Sequence, residues 1–256
     1  MQQIFIDNNQ IEDNMIKVNG SDANHLVKAC RIKTGEKIRV STSAEESYLC
    51  EVASVDNDEL TLKVIDDLLT TELPCKISLY QAVPKGDRME TIIEKCTELG
   101  VSSIIPVEMK RCVVRLDDKK KAKKVDRYER IAEAAAMQSK RSCIPFICDF
   151  MTFDEAVKES TSPDILRLVP YENKNGMEAT ANALKKLSDY KEVAIFIGPE
   201  GGFAPEEIEA LKESEIISLG KRILRTDTAA ITTVALTMLE VECNTWHIRY
   251  PMPSRS

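Results

Sequence analysis

The 256-residue sequence predicts a two-domain α/β protein, with a small β-barrel-like domain at residues 1–71 and a parallel-sheet domain at residues 72–256. The first part contains short segments in which apolar and polar residues alternate, separated by clusters of Asn, Asp, Gly and Ser, as in half-buried strands. The pattern breaks near residues 66–74. Beyond it, strand-like and helix-like segments alternate, which predicts a parallel sheet with helices on both faces.

The first domain is predicted to be mostly strands. They are expected at 4–6, 15–18, 37–40, 48–52 and 60–64. One helix interrupts them, because Ser21 and Asp22 are candidate caps for the apolar segment that runs to Cys30.

The second domain is predicted to have six strands and six helices. The strands are expected at 77–83, 103–107, 146–147, 165–169, 193–197 and 216–219, and the helices at 87–99, 125–140, 153–158, 177–187, 205–212 and 227–244. The last helix is apolar around much of its circumference, so most of its sides should be buried. This favours a contribution to a subunit interface over a place in the domain interior.

The composition excludes several classes of protein. A net charge of −7 argues against a generally basic nucleic-acid-binding protein, and no apolar run is long enough for a membrane span. The N-terminus lacks the basic and apolar regions of a secretory signal, so a cytoplasmic protein is expected. The eight cysteines are scattered and the two histidines, His25 and His247, lie far apart in sequence, so no metal site is expected.

One segment departs from the acidic character of the chain. Residues 110–141 contain twelve Lys and Arg against five Asp and Glu. The segment is either a solvated loop and helix face or a patch that faces phosphates, since such clusters attract polyanions whatever the total charge.

A glycine-rich loop follows the strand at 193–197. In open parallel sheets, ligands bind beyond the carboxyl ends of strands. The sequence Gly-Pro-Glu-Gly-Gly at 198–202 matches neither the P-loop nor the dinucleotide motif. Glu206 and Glu207 disfavour phosphate at the start of the next helix, so a ligand should be neutral or zwitterionic. The alternative is a turn that merely needs glycine.

A second loop follows the strand at 216–219. Arg222 and Arg225 flank the apolar pair Ile223-Leu224, which suits a nucleobase together with a phosphate or carboxylate. The alternative is an ion pair between these arginines and Glu200 or Asp227.

The two loops resemble the signatures of a known family. Residues 197–203, Ile-Gly-Pro-Glu-Gly-Gly-Phe, and 219–229, Leu-Gly-Lys-Arg-Ile-Leu-Arg-Thr-Asp-Thr-Ala, are similar to those of bacterial small-subunit ribosomal RNA uridine-N3 methyltransferases. These enzymes belong to the SPOUT class of knotted methyltransferases. The similarity continues at 25–31, 85–90, 95–100 and 133–141, so it spans nearly the whole chain.

This resemblance implies an N-terminal PUA/OB-like RNA-binding β-barrel and a C-terminal SPOUT domain, whose last segment is threaded as a deep trefoil knot. It also implies S-adenosyl-L-methionine as the cofactor and a homodimer with sites at the subunit interface. The substrate would be N3 of a specific uridine in 16S ribosomal RNA of the small (30S) subunit.

The resemblance also implies roles for individual residues. Those expected to bind the cofactor are Val169, Pro170, Glu172, Ile197, Gly198, Gly201, Gly202, Ser218, Leu219, Gly220, Ile223, Leu224, Arg225 and Thr228. Those expected to bind RNA are His25, Arg31, Lys85, Arg88, Arg111, Gln138 and Arg141. Ala204 stands where relatives more often have Ser or Thr, which affects only a helix cap.

Methyl transfer to uridine N3 requires loss of the N3 proton. That step needs a base or stabilisation of the resulting anion. We hypothesise that Arg225 or another cation stabilises the anion and that Glu200 or Glu172 is the base.

Two other functions fit the same features. A SPOUT ribose 2′-O methyltransferase that acts on tRNA or 23S ribosomal RNA would share the loops. A non-catalytic RNA-binding ribosome assembly factor would share the fold. The atom that is methylated, and cofactor binding itself, distinguish these three functions.

Overall fold

The chain divides into two compact units. A computed structural model describes residues 1–56, 59–174 and 176–249, side chains at 245–249 excepted. The first unit contains Met1–Glu72 and Ala136–Ile144, and the second contains the other described residues from Leu73 onward. The sequence predicts a single boundary between residues 71 and 72 and gives no sign that 136–144 belongs with the first unit.

The first unit is built on one six-stranded sheet. Its strands are β1 (Gln2–Ile6), β2 (Ile11–Glu12), β3 (Met15–Asn19), β4 (Lys37–Thr42), β5 (Ser47–Asp56) and β6 (Glu59–Leu68). The strand order is β1-β4-β5-β6-β3-β2, in which only β1 and β4 pair in parallel. No pairing among the described residues joins β1 to β2, so the predicted barrel is a curled half-barrel.

The predicted alternation places one face of this sheet in a core. In β3, Ile16 and Val18 are buried while Lys17 is exposed, as the two-residue period of a strand requires. A short helix α1 (Gly20–Asn24) and a π-helical turn (His25–Ala29) add Ala23 and Leu26 to the same core.

A buried ion pair fastens residues 136–144 within the first unit. Arg141 is only 4% exposed, and its Nε lies 3.2 Å from Oε2 of Glu72. The other carboxylate oxygen of Glu72 accepts hydrogen bonds from the N–H groups of Ser142 (2.8 Å) and Cys143 (3.3 Å). A buried charge must be paired in this way. The implied RNA contact of Arg141 is therefore corrected: its guanidinium is used inside the protein.

The second unit contains the predicted parallel sheet. Its strands are β7 (Lys76–Ala82), β8 (Ser103–Glu108), β9 (Phe146–Ile147), β10 (Met151–Thr152), β11 (Ile165–Pro170), β12 (Glu192–Ile197) and β13 (Glu215–Ile217). The order is β10-β8-β7-β12-β11-β13, with β9 also paired to β8, and every pairing is parallel. The structure adds β10 to the predicted strands.

Helices cover both faces of this sheet, as predicted. They are α2 (Arg88–Glu98), α3 (Asp118–Ser139), α4 (Phe153–Glu159), α5 (Glu178–Lys185), α6 (Pro205–Ala210) and α7 (Thr226–Arg249). One core cluster joins the sheet to α2, α3, α5 and α7, and another joins it to α4 and α6. No helix in the described part of the chain has the length and apolar character needed to cross a bilayer.

Helix α3 begins seven residues before the predicted start. Its first two turns are rich in lysine and lack an apolar period, which is why the sequence pattern misses them. Lysine is nevertheless a good helix former, and Asp118 complements the helix dipole in the first turn. The trefoil knot at the C-terminal segment stays a prediction.

Replacing Glu72 with Gln should destabilise the protein by about 3 kcal/mol, because Arg141 is left as an uncompensated buried charge. Burial alone would raise the pKa of Glu72, but the hydrogen bond and charge of Arg141 lower it below 4.5. A lowered pKa stabilises the folded state above pH 4.5, and this stabilisation is lost as pH falls through the folded value.

Urea unfolding between pH 7 and pH 3 measures both effects. The variant should be less stable at pH 7 and should lose less stability than the wild type on acidification. Equal stability of the two proteins at pH 7 would contradict a stabilising role for the ion pair between Glu72 and Arg141.

Ala204→Ser should stabilise the protein by about 1 kcal/mol, because α6 begins without a capping hydroxyl. Ala204 already has the extended conformation of a cap residue, with φ −73° and ψ 153°. Glu207 supplies the other half of a capping box by accepting the N–H of Ala204 at 2.7 Å. Thermal unfolding should show the gain, whereas Ala210→Ser, at the last residue of α6, should show none.

Candidate active site

A pocket of about 520 Å³ lies in the second unit, beyond the carboxyl ends of β11, β12 and β13. This volume falls in the range of sites that enclose small-molecule ligands. The lining comes from residues 170–172, 197–203 and 218–226, with Ala229 on α7. The pocket is therefore at the position expected for a ligand in an open parallel sheet.

The pocket brings together twelve of the fourteen residues expected to bind a cofactor. They are Pro170, Glu172, Ile197, Gly198, Gly201, Gly202, Ser218, Leu219, Gly220, Ile223, Leu224 and Arg225. The two exceptions are Val169, which is fully buried in the core under α4 and α6, and Thr228, which is exposed on α7. Adjacent strand residues face opposite sides of a sheet, so Val169 and Pro170 cannot share one environment.

The glycines of the first loop have close neighbours. Gly202 has φ +67°, and a Cβ atom there would collide with the carboxylate of Glu172. A Cβ on Gly201 would lie 3.2 Å from Cβ of Arg111, and one on Gly198 would lie 3.0 Å from the ring of Phe203. The loop therefore needs glycine for its conformation and for the close approach of its neighbours.

Glu200 is held as an anion by groups that follow β7. Its carboxylate accepts the N–H of Lys85 at 3.0 Å and forms an ion pair with Arg88. Partial burial opposes ionisation, but these hydrogen bonds and the charge of Arg88 lower the pKa of Glu200 below its ordinary value. A carboxylate with a lowered pKa is a poor proton acceptor at neutral pH, which argues against Glu200 as the base.

Two residues expected to bind RNA instead support this loop. Arg88 forms the ion pair with Glu200, and Arg111 donates a hydrogen bond to the carbonyl of Gly201 at 2.9 Å. Lys85 remains exposed beside them. In the first unit, His25 and Arg31 are exposed, as is Gln138.

The second loop presents cations to the pocket. Lys221, Arg222 and Arg225 all line it and are exposed. Within the described residues none of them forms an ion pair, so the predicted alternative of a bridge to Glu200 or Asp227 is wrong. Ile223, beside them, is 91% exposed.

Two buried threonines that the sequence analysis does not single out hold the loops in place. The hydroxyl of Thr180 on α5 accepts the N–H of Ser218 at 3.0 Å and donates to its carbonyl at 2.8 Å. Thr226 donates to the carbonyl of Gly198 at 2.9 Å and accepts a hydrogen bond from the amide of Gln81 at 3.0 Å. Gln81 is itself fully buried in β7. A polar residue inside an apolar strand is the one sequence signal that could have pointed to this link.

The pocket fits an adenosine joined to a zwitterionic amino acid. Leu219 and Leu224 offer apolar contacts for a base, and the glycine loop exposes backbone groups that can approach a ligand closely. Glu172 and Arg222 supply charges of opposite sign for an ammonium and a carboxylate. In the described parts of the chain, no group of His, Cys, Asp and Glu is arranged to hold a metal ion.

Thr226→Val should weaken binding of S-adenosyl-L-methionine about fivefold, because it removes the hydrogen bonds of Thr226 to Gly198 and Gln81, the first of which connects the two loops of the pocket. Thr226→Ser keeps the hydroxyl and should bind like the wild type. Calorimetric titration measures the affinity, and thermal unfolding confirms that each variant is folded. If a folded Val variant bound the cofactor as tightly as the wild type, Thr226 would not position the loop.

Known proteins share both units of this structure. A family model described as an RNA methyltransferase domain matches residues 71–238, and one described as an RNA methyltransferase PUA domain matches residues 18–65. The ribosomal RNA small subunit methyltransferase E of Bacillus subtilis is 35% identical over 251 residues, which cover 94% of this chain and 98% of that protein.

Solved structures share the fold. A Legionella pneumophila protein with bound cofactor SAM is 28% identical, with a TM-score of 0.76 over 94% of this chain and 97% of its own. A ribosomal RNA small subunit methyltransferase E from Neisseria gonorrhoeae, bound to S-adenosyl methionine, is 24% identical. Its TM-score is 0.79 over 93% of this chain and 97% of its own.

Proposed function

We propose, because the chain belongs to the ribosomal RNA small subunit methyltransferase E family of RNA methyltransferases, that it methylates N3 of a specific uridine in 16S ribosomal RNA. S-adenosyl-L-methionine is the cofactor. The observation that carries the proposal is the pocket, whose glycine loop fits the cofactor and whose second loop presents three cations that form no ion pair with any residue the structure describes. The substrate is the small ribosomal subunit, and the enzyme acts in the cytoplasm.

When bound, the cofactor supplies a methyl group on a sulfonium, which an in-line nucleophile can accept with little covalent help. Gly198 and Gly202 line the pocket and would let the cofactor approach the backbone closely, and Thr226 keeps the two loops at a fixed separation. Leu224 and Ile223 would contact the base. Contacts with these residues would orient the cofactor.

The protein must also remove the proton from uridine N3. Arg225 lines the pocket without a carboxylate partner among the described residues, so its charge is available to the uridine anion. Glu172 lines the same pocket and lies against Gly202. With Glu200 engaged by Arg88 and Lys85, Glu172 is the better candidate for the group that accepts the proton.

A second copy of the chain completes the enzyme. Leu239 is 52% exposed on α7, and Ile231, Ala235 and Leu236 on the same helix are only partly buried. Large apolar side chains grouped on one helix support a protein–protein contact. Ile223, which lines the pocket, is also an exposed apolar residue. Exposed apolar side chains both on α7 and at the pocket support the proposal that the active sites lie at a homodimer interface.

Transfer of labelled methyl groups to small ribosomal subunits, with the modified nucleoside identified by mass spectrometry, tests the proposal. Arg225→Ala and Glu172→Gln should each lower kcat by roughly 100-fold, the size expected for loss of anion stabilisation or of a base. Lys185→Ala, an exposed residue on α5, should have no effect.

The product distinguishes the other functions. Methyl groups on ribose 2′-oxygens, or on tRNA or 23S ribosomal RNA, would favour the ribose methyltransferase. Tight cofactor binding without transfer to any RNA would favour the assembly factor. Full activity of both variants would remove Arg225 and Glu172 from the chemistry.

A further inference from the structure

Four cations form one stripe along the exposed side of α3. They are Lys119, Lys123, Arg127 and Arg130, here called the basic stripe. An α-helix turns 100° per residue, so these positions lie within roughly 80° of one another. They extend about 16 Å along the axis, at a rise of 1.5 Å per residue.

The opposite side of α3 is fixed in the core of the second unit. Tyr128 and Ala132 belong to that core, and Ala135 on the same side of the helix is also buried, so the stripe must face away from the sheet. The acidic residues Asp126, Glu129 and Glu133 lie on the other flank of the exposed face. The helix therefore separates its exposed charges into a basic flank and an acidic flank.

Ion pairs neutralise the neighbours of the stripe more than the stripe itself. Lys120 pairs with Asp117, and Lys121 pairs with Glu108. In contrast, Lys119, Lys123 and Arg130 have no ion pair within the described residues.

The fourth member of the stripe is paired but accessible. Arg127 lies 2.7 Å from a carboxylate oxygen of Glu90, yet its side chain is 63% exposed. Four cations thus face solvent on a chain whose net charge is −7.

The chemical groups of the stripe favour a nucleic-acid backbone as its binding partner. A row of ammonium and guanidinium groups binds phosphates spaced along a strand. A membrane surface would instead need large apolar side chains beside the cations. Between residues 119 and 134 the exposed face of α3 offers only Ala122 and Ala134.

We infer that the basic stripe binds the phosphate backbone of the substrate RNA, outside the pocket. This inference rests on the proposed function for the identity of the RNA. Phosphate contacts position an RNA without reading its sequence. The stripe therefore sets the affinity for the ribosomal subunit and its dependence on salt, and it leaves the chemical step unchanged.

The test is the triple variant Lys119→Gln/Lys123→Gln/Arg130→Gln, assayed for methyl transfer to small subunits that lack the modification. Glutamine keeps the helix propensity of Lys and Arg, so α3 should fold normally. KM for the subunit should rise on the order of tenfold, and the slope of log affinity against log salt should fall by roughly 2 to 3. The KM for S-adenosyl-L-methionine and kcat should not change.

A matched control removes the same charge elsewhere in the unit. Lys158, Lys185 and Lys191 are exposed, line no part of the pocket and have no ion pair in the parts of the chain that the structure describes. Their triple replacement with Gln should leave KM and the salt slope as in the wild type. An equal change in both triple variants would overturn the inference, because only net charge would then matter.

Filter binding of the small subunit over the same salt series separates this inference from the proposed function. If the wild type transfers no methyl group, the proposed function fails, and the binding slopes of the two triple variants still test the stripe. A wild-type slope in the stripe variant overturns the inference even when methyl transfer is normal.

Discussion

Parallel pairing of β12 between β7 and β11 is the constraint on which the site depends. It aligns Ile197 with Gln81 and places the carboxyl ends of four strands at one edge of the sheet. The loops after β11, β12 and β13 must then share one space. Hydrogen bonds from buried Thr180 and Thr226 hold these loops in fixed positions around the pocket, because each bond connects a loop to a different helix.

The sequence predicts most of this fold because the relevant signals are local. Periods of two and 3.6 residues locate the strands and helices of the sheet domain, and glycines that follow strands locate the pocket. The start of α3 is not predicted, because helix formation there depends on the intrinsic helix propensity of its residues and not on an apolar face. The position of residues 136–144 is not predicted either, because it depends on the ion-pair partner of Arg141. No local sequence pattern reveals that partner.

The availability of charged side chains for a ligand is the property that the sequence predicts least well. Among the arginines between 88 and 141, Arg141 is buried, and Arg88 and Arg111 support the glycine loop. Arg130 faces solvent and has no ion pair in the described part of the chain. All look equivalent in a count of basic residues. Whether an arginine is available to a ligand depends on the acceptors around it, and these come from residues as far as 112 positions away in sequence.

The ion pair between Glu72 and Arg141 also affects when the first unit can complete its folding during synthesis of the chain. The first unit consists of residues from two stretches, which are separated by the part of the second unit that runs from Leu73 to Ala135. During synthesis from the N-terminus, Glu72 emerges long before Arg141, so its carboxylate stays in water without its partner until residue 141 has left the ribosome. The half-barrel can therefore reach its final stability only after more than half of the polypeptide is complete. A fragment that ends at residue 72 would not reproduce the domain.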